Sequence, residues 1–459
     1  MSAALGARSF GRLPDAVVRP TYDPSGVGIG IVHLGIGAFH RAHQAVFTDD
    51  VLCSTGGNWG IAGVSMRHAD VADALTGQDN LYTVEILSAQ PVYRVIAAVR
   101  RALAAPTQRT ELTDLLASPD THIVTLTITE KGYCLGVDGE LDFSNAAVMR
   151  DLEHCREPTS AIGWLAHGLL ARYHSHRRPL TIISCDNLKS NGSKLQHAVT
   201  AYVERIAPHM LGWLRDAVTF PRTVVDCIVP ATTSASRARV QEALGVTDHA
   251  CVTREPFSQW VIENAFAGPR PAWERAGALL VDDVEGYGKL KLHVLNCCHS
   301  ALAYLGLPRG YTYVHEAIAD PGIEGFLENL VRSEITPALA PLNVEDYWRS
   351  VSTRFANPAI NHRLTQIAED GSLKIAERVF PLLIANGVSG APLESLARIV
   401  RCWLAFAGSQ PVKDPQQALL ASWARDGGHV DRALNEPTLF PVEIRGNPRL
   451  SAAILKAQP

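Results

Sequence analysis

Residues 28–37 read Gly-Ile-Gly-Ile-Val-His-Leu-Gly-Ile-Gly, and the ten that follow, Ala38 to Phe47, contain no helix breaker. A β-rich stretch from Ile29 to Leu34 thus meets a glycine turn and then a predicted helix over 38–47. That strand–turn–helix order is the context a dinucleotide fingerprint requires. Gly35 permits the tight turn, and Gly37 lets backbone approach a pyrophosphate at a helix N-terminus. His40 stands where the fingerprint's third glycine would be. The match is therefore partial, and an ordinary glycine turn is the competing reading.

The segments that follow favour the first reading. Trp59 to Ser65 forms a second predicted strand. An acidic residue at the end of that strand often holds the adenosine ribose of NAD. Here the end reads Ser65-Met66-Arg67-His68-Ala69-Asp70, so Arg67 stands either as a contact for a 2′-phosphate or as a solvent-facing charge. NAD is the expected cofactor, with NADP as the alternative. Three further runs, 121–129, 180–184 and 223–229, are near-continuously apolar and β-branched, as buried parallel strands are. Predicted helices over 159–174 and 194–206 intervene. Ligands bind beyond the carboxyl ends of such strands, so Glu130-Lys131-Gly132-Tyr133, Cys185-Asp186-Asn187 and Pro230-Ala231-Thr232-Thr233 become site candidates. Asn187 is the most attractive side chain among them.

A chain of 459 residues, 47% hydrophobic, can bury a sizeable core and is expected to form two or three domains. The 42 basic and 46 acidic residues give a net charge of −4, without the basic excess of a nucleic-acid binder. The densest basic stretch, 172–178, reads as a solvated helix end. No apolar run reaches the roughly 18 residues that span a bilayer, and Arg8, Arg12, Asp15 and Arg19 interrupt any secretory leader. Nine cysteines with no Cys-x-x-Cys pair read as free thiols in a reducing cytoplasm. A monomer or a small homo-oligomer fits equally.

From about residue 285 strand signals become sparse and helical stretches dominate. The expected organisation is α/β: a dinucleotide-binding domain over 1–284 and a mainly α-helical substrate domain over 285–459. Within the latter, residues 290–306 read as one buried helix stopped by Gly306. At 100° per residue, Lys291, Asn296 and His299 fall within an arc of about 140°. One side of that helix can present an amine, an amide and an imidazole to a common cavity. A desolvated lysine has its pKa lowered and can exchange a hydroxyl proton while hydride leaves carbon. An amide can hold the developing oxygen charge. The competing reading is a snorkelling lysine, a structural asparagine and a core histidine. No metal site is expected: His40 and His43 sit on the predicted phosphate helix, and Cys297, Cys298 and His299 are too close in sequence to converge from one helix. Ser184, Ser258 and Ser300 lack a nucleophile elbow.

Collinear segments across nearly the whole chain resemble the polyol-specific long-chain dehydrogenase family, which includes mannitol 2-dehydrogenase and fructuronate reductase (mannonate oxidoreductase). They are 31–44, Thr129 to Tyr133, Ser184 to Asn187 with Asn191-Gly192, Phe220-Pro221, Val225-Asp226, Ile228 to Thr232, Glu255 to Phe257 and Gln259 to Val261. The most diagnostic is Lys291-x4-Asn296-x2-His299, followed by Asp370-Gly371-Ser372-x-Lys374. The resemblance implies an expanded Rossmann-type domain, then a helical substrate domain, with the active site between them and no catalytic zinc. It implies Lys291 as general acid/base, Asn187 and Asn296 on the reacting oxygen, His299 in support, and Asp226 on a substrate hydroxyl. Gly35, Gly37, Phe39, His40 and Arg41 resemble its cofactor-loop positions. Ser65, Arg67, Thr129 and Lys131, at two strand ends, complete the candidate cofactor set.

Two positions depart from the family. Cys227 replaces an arginine often found after the Val-Asp pair, and Gly288 replaces a glutamate three residues before the lysine in many mannitol-type members. Both bear on substrate choice and pH behaviour. The expected reaction is interconversion of D-mannitol and D-fructose, or a small polyol and ketose like them. The alternative is a sugar acid, fructuronate to mannonate, whose carboxylate needs a cationic pocket end, with Arg363, Lys374 and Arg378 as its sources. A nucleotide sensor that has lost catalysis is the alternative from another class.

Overall fold

β-Branched runs in the first half become twelve strands in the computed structural model, which describes residues 3–410, 413–426 and 428–459. In chain order they are β1 Ile29–Leu34, β2 Gly60–Ser65, β3 Tyr82–Ile86, β4 Val92–Ile96, β5 Val99–Ala104, β6 Ile123–Leu126, β7 Leu180–Ser184, β8 Val218–Thr219, β9 Thr223–Asp226, β10 Val252–Arg254, β11 Gln259–Glu263 and β12 Leu279–Val281. Six of them form one sheet in the order β5-β2-β1-β6-β7-β8, every pair parallel. From β1 the chain runs outward through β2 to β5, then crosses back to β6 on the other side of β1. The strand order therefore reverses between β1 and β6. β6 and β7 are buried along their whole length, and β1 at every residue but the first. Such burial on both faces is what near-continuous Val and Ile runs serve, at about 1.5–3 kcal/mol for each side chain withdrawn from water.

The run at 223–229 departs from expectation. β9 stops at Asp226 and pairs antiparallel with β11 in a separate three-stranded sheet, β12-β11-β9. The edge of the parallel sheet is taken by β8 instead. Beyond Asp226 the ladder cannot continue: the Ile228 amide donates to Glu255 Oε1 at 2.6 Å, and Pro230 has no N–H to offer. The helix expected over 38–47 is likewise two, Ala38–Ala42 and Gln44–Thr55. They break at His43 (φ −125°, ψ −88°), whose Nε2 bonds the Gln259 carbonyl at 3.0 Å. The helix Ala161–Ser175 begins where Ser160 accepts from the Gly163 amide at 2.9 Å. At its far end Arg172 is fully buried, while His174, Ser175, Arg177 and Arg178 of the same basic stretch are exposed as expected. The Arg172 guanidinium donates to the carbonyls of Leu116, Ser118, Thr121, Arg178 and Pro179. Five acceptors are what permit a buried guanidinium there.

The chain divides into two units, Met1–Val284 and Glu285–Pro459. The second is helical. Its centre is the helix Cys297–Gly306, every residue of which is buried. Close approach is enforced by small residues: a Cβ at Gly306 would lie 2.9 Å from Leu364, and one at Gly371 would lie 2.5 Å from the Tyr304 hydroxyl oxygen. The single helix expected over 290–306 proves composite. An α-helical Glu285–Leu290 leads into a π-helical turn, Lys291–Asn296, before Cys297–Gly306 resumes α geometry. A step of 100° per residue therefore does not hold between Lys291 and Asn296. Among the described residues no helix is long and apolar enough to cross a membrane.

Candidate active site

In the first unit, the loops leaving β1 and β6 flank the point where strand order reverses, the crevice in which open parallel sheets bind dinucleotides. Gly35 closes β1 at φ +101°, and a Cβ there would lie 2.1 Å from the Thr127 carbonyl oxygen. Only glycine allows the two loops to touch. Gly37 is ordinary in φ, and the nearest atom to a Cβ built on it is 3.8 Å away. The position over Gly37 is thus left open by the loop, as close approach of a phosphate would require. A polar lock lies beneath. His33 Nε2 approaches the Gly35 carbonyl at 3.1 Å and Thr127 Oγ1 at 2.9 Å. Its Nδ1 lies 2.7 Å from Thr125 Oγ1, and Thr127 Oγ1 also donates to the Gly35 carbonyl at 2.8 Å.

The side chains of His40 and Arg41, which follow this loop, are buried. His40 is fully buried and stacks on His33 with ring centroids 3.4 Å apart. Burial, then the neighbouring His33, Arg41 and His43, hold its pKa well below the ordinary imidazole range. Arg41 donates to the Ala250 and Gly37 carbonyls and sits over the Tyr82 ring. Phe39 is half-buried and stacks on His43. Ser65 is half-buried at the end of β2, and Arg67 beyond it is exposed.

On the β6 side, Thr129 and Lys131 are exposed. Thr129 is left-handed at φ +64°, unusual for a β-branched residue. What holds it is Asp186, just past β7. Its carboxylate accepts from the amides of Ile128 and Thr129 at 2.9 Å each and from the Tyr133 hydroxyl at 2.7 Å. Burial raises the Asp186 pKa against the pull of those three donors. The clamp exists only in the folded chain; in the sequence Asp186 is one polar residue of a strand end. Asn187 follows it and is exposed. Asn191 is structural: its amide ties the Ser184 and Thr223 carbonyls together. Asp226, at the end of β9, is buried opposite Gln259.

In the second unit, Lys291 opens the π-helical turn, Asn296 closes it, and both are half-buried. The wider winding of an i→i+5 ladder brings residues five apart back toward one side of the helix, so these two face the same way. His299, one turn on, is buried against the Phe355 ring at 4.4 Å and the His362 ring at 5.1 Å, and its Nε2 has no hydrogen-bond partner. Burial first, then His362, Arg378, Arg354 and Lys374, push its pKa well below the usual range. The imidazole is therefore neutral at pH 7. Lys374 Nζ donates to the Ile367 carbonyl at 3.1 Å, and burial followed by Arg378 lowers its pKa. Arg378 Nη1 donates to the Asn296 carbonyl at 3.2 Å and to Ser300 Oγ at 3.0 Å. Arg363 is exposed, with its guanidinium over the Tyr313 ring. Lys374 thus joins the group around His299, together with Arg354 and His362, which sequence periodicity had no means of selecting.

Residues 29–275 match the mannitol dehydrogenase Rossmann domain and residues 283–458 the mannitol dehydrogenase C-terminal domain. The chain belongs to the mannitol dehydrogenase family. It is 37% identical to the D-mannonate oxidoreductase of Escherichia coli over 85% of this chain and 82% of that one. With a mannitol 2-dehydrogenase of Aspergillus terreus it shares 35% identity, covering 98% of this chain and 94% of the relative. It superposes on Pseudomonas fluorescens mannitol 2-dehydrogenase, solved with NAD and D-mannitol, with a TM-score of 0.85 at 33% identity, over 99% and 96% of the two chains. Members of this family are NAD(P)-linked oxidoreductases, and this chain is one. The sensor alternative falls with that assignment.

Proposed function

We propose that this enzyme transfers hydride between NAD(P) and the secondary alcohol or ketone of a polyol–ketose pair of the mannitol–fructose type. The observation that carries the proposal is the π-helical turn beginning at Lys291 and ending at Asn296, with neutral His299 one turn beyond. NAD(P), when bound, supplies the hydride acceptor. Gly35 and Gly37 leave its pyrophosphate room, Ser65 and Arg67 lie at the strand end where the ribose is read, and Thr129 and Lys131 line the loop after β6. In the oxidation direction the Lys291 amine takes the hydroxyl proton and returns it in the reverse reaction. The Asn296 amide donates to the reacting oxygen, and Asn187 is assigned the same role. His299 orients substrate hydroxyls, and Asp226 accepts from one of them.

A second reading, the same chemistry on a sugar acid, is favoured by Arg354, Lys374 and Arg378 around His299. A substrate carboxylate needs cationic groups of this kind nearby. The likeness to a D-mannonate oxidoreductase points the same way. Initial rates of NADH and NADPH oxidation with D-fructose, D-xylulose, D-fructuronate and D-tagaturonate separate the readings. Preference for the neutral ketoses supports the first and preference for a uronate the second. Silence on all four with both cofactors would overturn both.

A further inference from the structure

We infer that Arg378 is a positioning residue for the reaction: it pins the π-helical turn that brings Lys291 and Asn296 toward one side. The inference rests on the assignment of those two residues to one reacting oxygen. A helix of α geometry would set Lys291 and Asn296, five residues apart, about 140° apart around its axis. An amine and an amide so placed reach into a common cavity from its two edges and meet at one oxygen atom only at full stretch. The π-helical turn narrows that divergence, because the i→i+5 winding takes more residues per turn than the α form. Such a turn is rarer than the α form and needs outside contacts to persist.

Arg378, the last residue of the helix Gly371–Arg378, supplies two of them. Its Nη1 donates to the Asn296 backbone carbonyl at 3.2 Å, where the π-helical turn gives way to α geometry. The same nitrogen donates to Ser300 Oγ at 3.0 Å, and Ser300 Oγ in turn donates to the Asn296 carbonyl at 3.2 Å. That carbonyl therefore receives two side-chain donors. On the other side, the Arg378 backbone carbonyl lies 3.2 Å from Nδ1 of His293, in the middle of the turn. One residue thus grips the turn at its centre and at its end. The side chain is largely buried, so it makes these bonds with little competition from water.

The test uses the full-length enzyme with its preferred ketose, comparing Arg378→Met, Arg378→Lys and Lys291→Ala. Arg378→Met should lower kcat by about 100-fold, the usual consequence of displacing a reacting group by about 1 Å. KM for NADH should change less than about twofold, because the cofactor loops lie on other elements. Arg378→Lys, which keeps one donor within reach of both acceptors, should recover a large part of the loss. Where Arg378→Met does not fold, Ser300→Ala, which removes the second donor to the Asn296 carbonyl, should lower kcat several-fold with unchanged KM for NADH. An unchanged kcat in the folded Arg378→Met or Ser300→Ala variant, with Lys291→Ala inactive, overturns the positioning role alone. A loss confined to KM for the ketose overturns it too and makes Arg378 a substrate contact. Full activity in Lys291→Ala overturns the underlying assignment and this inference with it.

Discussion

Replacing Gly35 with alanine tests whether the two cofactor loops are built as one unit. The perturbation adds a single methyl group. At φ +101° an alanine costs about 1–3 kcal/mol in backbone strain. Its Cβ would start 2.1 Å from the Thr127 carbonyl oxygen, so the loops after β1 and β6 must part. Parting breaks the bonds of Thr127 Oγ1 to the Gly35 carbonyl and to His33 Nε2, each contributing about 1 kcal/mol. The total is about 3–5 kcal/mol. Urea unfolding reads the stability loss, and quenching of protein fluorescence by NADH reads the affinity. A destabilisation of that size with NADH affinity lowered at least tenfold is expected. A loss under about 1 kcal/mol with unchanged affinity would refute the claim that contact between the loops requires glycine.

Other consequences are open to measurement. His33 and His40 are buried with pKa values lowered, His33 to about 3. Unfolding releases both to ordinary imidazoles near 6.5. The unfolded chain then binds more protons below about pH 6.5, so stability is full above that value and falls as pH drops toward 3. The slope is about 1.4 kcal/mol per pH unit for each histidine; a His40→Phe variant whose urea midpoint falls as steeply between pH 6 and 5 would contradict this. Asp186→Asn cannot satisfy three donors at once, and should raise KM for NADH about tenfold while leaving KM for the ketose near its original value. Arg67→Ala should weaken NADPH selectively, which parallel KM measurements with the two cofactors will show. Gly371→Ala forces a methyl group to within 2.5 Å of the Tyr304 hydroxyl and 2.6 Å of Trp403 Nε1. It should cost about 1–3 kcal/mol in thermal or urea unfolding.

Much of the parallel sheet is legible in the chain because the pattern is local. β1 and β7 coincide with the runs at 29–34 and 180–184, and β2 and β6 lie within a few residues of theirs. β9 is misread because a short β-branched run does not reveal which partner it will take; Glu255 and Pro230 decide where it ends. The residues Lys291, Asn296 and His299 stand out by type and spacing, but their geometry does not. A 3.6-residue period cannot register a π-helical turn, since the donors that hold it come from Arg378, more than eighty residues downstream. His40 and Arg41 show the reverse case. Position in a glycine loop marks them as candidates, while the burial of both side chains has no signature in that position. Long-range contacts such as those of Asp186 and Arg172 carry no local signature at all.

The most direct test of the account is rescue of Lys291→Ala by small primary amines. If Lys291 exchanges the hydroxyl proton, the variant should bind NADH normally and lose at least about 1000-fold in kcat, more than the 10²–10⁴-fold of proton transfer at its lower end. Added methylamine should restore part of that rate, more strongly as pH rises and the free amine grows. Undiminished turnover in Lys291→Ala would contradict the assignment of the proton to this lysine.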